Sequence, residues 1–153
     1  GTQALDGGTL FTQFSHFIDI LYWLFGDITD IQGKFADFNH HALTEFEDSG
    51  LVTFRFLNGG MGCLNYSTAV WDKNLESSMT IVGSTGSVKI GGQYMDKVEY
   101  CHIKDYTMPE LAPTNPDLRR FSVVRTRTKV RTNSIGLCAS ERLPTGVRTD
   151  PNS

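Results

Sequence analysis

The chain has 153 residues, 39% hydrophobic and 20% charged, with a formal net charge of −3. That length fits one domain with a substantial core, which ten Phe, five Tyr and two Trp can fill, and 15 Gly point to many turns. No apolar run reaches the roughly 18 residues of a membrane-spanning helix, because Gln13, His16 and Asp19 interrupt the longest one. Cys63, Cys101 and Cys138 show no CxxC or Cys/His spacing, so reduced thiols are expected, not a zinc site or a disulfide framework. The opening, GTQALDGG without Met, lacks the pattern of a secretory leader and reads as the interior of a longer sequence.

Charge divides the chain in two. From Leu118 onward eight Arg or Lys face only Glu141 and Asp150, a balance of +6, whereas the first 117 residues carry −9. Residues 1–117 are therefore read as one domain and 118–153 as a separate basic tail.

The first predicted element is a helix within GGTLFTQFSHFIDILYWLFG, residues 7–26. Leu10, Phe14, Phe17, Ile18, Leu21, Leu24 and Phe25 form a broad apolar face at helical spacing, with Thr9 as N-cap and Gly26 closing the end. Next, ITDIQGKFADF reads as a strand with Ile31, Phe35 and Ala36 pointing inward. His40 and His41, taken as strand neighbours, would point to opposite faces and cannot act as paired ligands.

GLVTFRFLNGGMGCLNYSTAV is the clearest hairpin: Val52, Phe54 and Phe56 alternate inward, Asn58-Gly59-Gly60 turns, and Met61 to Val70 returns. SMTIVGSTGSVKIGG gives a second hairpin around Gly83–Gly86; its glycines lack the spacing of a phosphate loop and are followed by strand residues, not by a helix. KVEYCHIKDY reads as a further strand and TMPELAPTNPD as a Pro-rich loop. One helical region followed by hairpins predicts an α+β fold: an open, mostly antiparallel β-sheet with helix packed on one face. The tail, RRFSVVRTRTKVRTNS, alternates basic and small polar residues without an apolar face, and stays open as a strand, a disordered arm or a non-native terminus.

On the predicted helix, Thr12, His16, Asp19 and Trp23 fall at i, i+4, i+7 and i+11, one stripe, flanked by Gln13 and Ser15. His16 and Asp19, three apart, are close enough for the carboxylate to orient the imidazole. A histidine on an apolar helix is more often structural than catalytic; a stripe facing a second surface would instead make a cleft wall.

These segments resemble the Gfo/Idh/MocA oxidoreductase family (glucose–fructose oxidoreductase and inositol dehydrogenase). The likeness rests on Gly7, Gly8, His16, Ile18, Asp19, Trp23 and Gly26, and on the hairpins FRFLNGGMGCLNYS and IVGSTGSVKI, covering residues 7–117. TLFTQFSHFID looks most like the branch that oxidises the C3 hydroxyl of UDP-N-acetylglucosamine-derived sugars.

The resemblance implies the family's C-terminal, dihydrodipicolinate-reductase-like domain, without the Rossmann domain that carries GxGxxG and the catalytic Lys. It implies an NAD or NADP enzyme overall, with none bound by this chain alone. His16 would be catalytic, with Thr12, Gln13 and Asp19 binding substrate. Thr12 stands where the family has Asp, so it can only hydrogen-bond. A UDP-sugar-like substrate, a homo-oligomer formed through the sheet face and a cytoplasmic location are likewise implied, with no nucleic-acid or membrane partner. The tail's only stacking aromatic is Phe121, and the body is acidic, which argues against nucleic-acid binding. The competing reading is a non-enzymatic, sheet-based interaction module.

Overall fold

The computed structural model describes residues 1–109 together with the backbone of a strand at 132–140. Three helices open the chain: α1 (Gln3–Asp6), α2 (Thr9–Thr12) and α3 (Ser15–Phe25). Six strands follow: β1 (Ile28–Ala36), β2 (Ser49–Phe56), β3 (Met61–Ser67), β4 (Ser77–Gly83), β5 (Gly86–Gly91) and β6 (Lys97–Ile103). β7 (Thr132–Ser140) completes one seven-stranded sheet in the order β1-β2-β3-β7-β4-β5-β6. Every pairing is antiparallel except that of β3 with β7, so the predicted α+β architecture holds.

The core lies between the helices and one face of the sheet. Val52, Phe54 and Phe56 of β2, Leu64 and Tyr66 of β3 and Met79 of β4 are buried against Phe14, Phe17 and Leu21. The Phe14 ring lies 5.0 Å from Tyr66, and Phe25 lies 5.2 Å from Phe56. At 11 residues α3 is marginal by itself; burying Phe17 and Leu21, at about 2 kcal/mol each, holds it on the sheet. Leu24, expected on the buried face, is exposed.

The opening helix is not continuous. It breaks at Gln13 and Phe14, where Phe17 N–H bonds to Phe14 O, three residues back, at 3.0 Å. The Thr12 hydroxyl also donates to Gly8 O at 3.1 Å, a back-bond of the kind that bends helices. Thr9 is not the N-cap: Gly8 holds that position without a side-chain bond, and Thr9 is the buried first residue of α2. Gly26, at φ +82°, ends α3 with its N–H on Tyr22 O, as expected.

The burial expected of Ile31 and Phe35 is not found. The β1–β2 register shifts between Thr29 and Gln32, where Asp30 adopts φ +52°, and Ile31 at this bulge is 65% exposed. Phe35 shares the helix side with Gly33, but no helix covers it there and it is 56% exposed. β7 comes from the stretch read as a separate tail and pairs with β3 and β4 along its length. The rest of 118–153 lies outside the described residues.

Candidate active site

The residues of the predicted stripe reach the surface from two short helices rather than one. Thr12 ends α2, Gln13 sits in the turn, and His16 and Asp19 lie on α3. Thr12, His16, Asp19 and Trp23 are exposed, opposite the buried Phe14, Phe17 and Leu21, while Gln13 is half-buried. The exposed His16 ring lies 4.2 Å from that of Phe17. The contact expected between His16 and Asp19 is not made: among the described residues no hydrogen bond or ion pair joins them. Thr12 uses its hydroxyl proton on Gly8 O, so its oxygen can only accept from a partner.

Such a surface can exchange a proton with, and hydrogen-bond, a molecule brought against it; it does not enclose one. Two grooves lie elsewhere, one on the outer sheet face at Asp30, Thr53, Arg55 and Cys63, the other beside the 37–47 loop. Neither groove is lined by Thr12, Gln13, His16 or Asp19.

Missed in the sequence is the polar centre of the β1–β2 loop, residues 37–48. His40 lies there and not on a strand. Its Nδ1 stands 3.0 Å from Oδ2 of the buried Asp48, which also accepts from the Phe38 and Asn39 N–H groups and the Ser49 hydroxyl. Burial pushes the Asp48 carboxyl up, but the bonds from Asn39, His40, Phe38 and Ser49 outweigh it and hold the group below the usual range.

No described residues fit a dinucleotide's pyrophosphate. Every described helix precedes every strand, so no strand leads through a glycine turn into a helix. Gly83 and Gly86 flank the tight β4–β5 turn as predicted, and a Cβ on Gly86 would stand 2.6 Å from Ile103 Cα. Among the described residues no group of three His, Cys, Asp or Glu could hold a metal, and no helix is long and apolar enough to cross a membrane.

A pair of short helices laid across one face of an open, mostly antiparallel sheet, with an exposed imidazole on the solvent side, defines an α+β domain of the helix-on-sheet class. The chain belongs to the GFO/IDH/MocA C-terminal domain family, whose model matches residues 1–89. Among solved structures it is similar to the WlbA dehydrogenase from Bordetella pertussis in complex with NADH and UDP-GlcNAcA: 32% identity and TM-score 0.63, covering 67% of this chain and 32% of that one. The WlbA dehydrogenase from Chromobacterium violaceum, also with NADH and UDP-GlcNAcA, gives 34% identity and TM-score 0.64, over 70% of this chain and 30% of that one. The chain thus spans about a third of either dehydrogenase. No curated protein matches significantly. The family read from the sequence is borne out, and so is the likeness to sugar-nucleotide dehydrogenases.

Proposed function

We propose that the chain is the substrate-binding and subunit-assembly part of an NAD(P)-dependent sugar-nucleotide dehydrogenase, inactive without a nucleotide-binding domain. The observation that carries this reading is the solvent-facing line Thr12, His16, Asp19 on a domain 32–34% identical to dehydrogenases solved with NADH and UDP-GlcNAcA.

Oxidising a CH–OH group removes a hydride from carbon and a proton from oxygen. The nicotinamide, held by a separate domain, supplies the hydride acceptor. His16 takes the hydroxyl proton on a ring nitrogen, which in a neutral imidazole has a free lone pair. Thr12 accepts a hydrogen bond from the sugar, and Gln13 and Asp19 bind its other polar groups. The free thiols Cys63 and Cys101 suit a reducing cytoplasm. A second copy packs on the outer sheet face, where Leu51 and Met61 are 58% and 51% exposed.

The test is a hybrid in which this chain replaces the matching third of the Chromobacterium dehydrogenase. The hybrid should form NADH from NAD and UDP-GlcNAcA, the isolated chain should not, and His16→Ala in the hybrid should lower kcat about 100-fold or more.

A further inference from the structure

The candidate surface depends on where α2 sits, and α2, at four residues, has no side-chain cap of its own. Besides its own backbone bonds, its first turn is held by Glu47, 37 positions beyond Leu10. Glu47 Oε1 accepts the Leu10 N–H at 3.3 Å, and the Glu47 carbonyl accepts the hydroxyl of the buried Thr9. The same Oε1 accepts the Tyr66 phenol at 2.8 Å. Tyr66 is a core residue of β3 whose ring packs on Phe14, the residue at the α2–α3 break. Burial, reinforced by the Glu47 carboxylate, raises the phenol's pKa and keeps it a donor. Gly8, at φ +101°, brings the chain so close that a Cβ there would stand 3.3 Å from the Glu47 carboxylate.

We infer that Glu47 is the positioning residue of the candidate site: it ties the first turn of α2 to Tyr66 and the sheet, and so fixes Thr12, Gln13 and His16. The placement of α2 stands on geometry alone; its importance for substrate rests on the function proposed above. Glu47 touches none of the stripe residues and acts through Thr9, Leu10 and Phe14. A glutamine can still accept from both donors through its one amide oxygen, whereas an alanine can accept from neither.

Amide exchange and the His16 ring signals, read by NMR on this chain, test the inference. Glu47→Ala should speed exchange at Thr12 and Gln13 about tenfold relative to Phe17, Leu21 and Val52, and should shift the His16 ring signals. Glu47→Gln should restore both to near the parent values. Tyr66→Phe, which conserves volume and removes one arm of the clamp, should give a smaller change at the same amides and serves if Glu47→Ala fails to fold. Unchanged α2 amides, an equal loss at every amide, or a Glu47→Gln variant as disturbed as Glu47→Ala would overturn the inference. These readouts need no ligand. A parent chain unmoved by UDP-GlcNAcA would count against the proposed function and leave the exchange result standing.

Discussion

His40 Nδ1 and Asp48 Oδ2 lie 3.0 Å apart, joining the middle of the β1–β2 loop to the residue that begins the return into β2. With the Phe38 and Asn39 N–H groups and Ser49, the carboxylate of Asp48 organises the loop that also carries Glu47. Asp48→Ala would leave two backbone donors without their acceptor, and should cost about 2–4 kcal/mol in urea unfolding. Thr68 should still bond the Asp48 backbone carbonyl, so β3 is expected to stay paired.

Acid should act on the same carboxylate. Its folded pKa is depressed below the ordinary 3.8, so its contribution is complete above that value and is lost as pH falls toward the folded pKa. Stability of the parent chain should therefore decline below about pH 4. Asp48→Asn should lose less stability than the parent between pH 5 and pH 3, as followed by urea midpoints at each pH.

Gly50 and Tyr66 test the packing beneath the helices. A Cβ on Gly50 would stand 2.5 Å from the Tyr66 ring, which has Phe14 on another side. Gly50→Ala should destabilise by about 1–3 kcal/mol through overpacking and should move the Phe14 resonances.

On the outer sheet face Thr53 pairs with Cys63, and Arg55 with Met61. A subunit interface there should not tolerate an unpaired charge. Leu51→Lys should shift the chain to monomer in sedimentation equilibrium while keeping the far-UV circular dichroism of the folded chain, since Leu51 lies outside the core.

What was legible in the sequence was whatever local periodicity encodes. Val52, Phe54 and Phe56 declared the buried face of β2, and the spacing of Phe14, Phe17 and Leu21 declared the helix side. The break at Gln13 was hidden, since it depends on the Thr12 back-bond and on where the sheet receives Phe14. Ile31 was misplaced because a bulge at Asp30 shifts the register. His40 was assigned to a strand because its partner, Asp48, is eight residues away. The acidic run Glu45, Glu47, Asp48 beside a strongly alternating strand was the available clue to the loop's polar centre. Within β7 itself Ile135, Leu137 and Ala139 alternate at strand spacing, but so short a signal beside the basic run does not say where the strand pairs; β3 and β4 place it.

The most direct test is titration of the labelled chain with UDP-GlcNAcA, followed at the His16 ring and at the Thr12, Gln13 and Asp19 amides. Saturable shifts are expected at these four positions, weakened by His16→Ala, with Cys63 and Thr53 on the opposite face unmoved. Shifts confined to the outer sheet face, or none at the four positions at saturating sugar nucleotide, would contradict the proposed function.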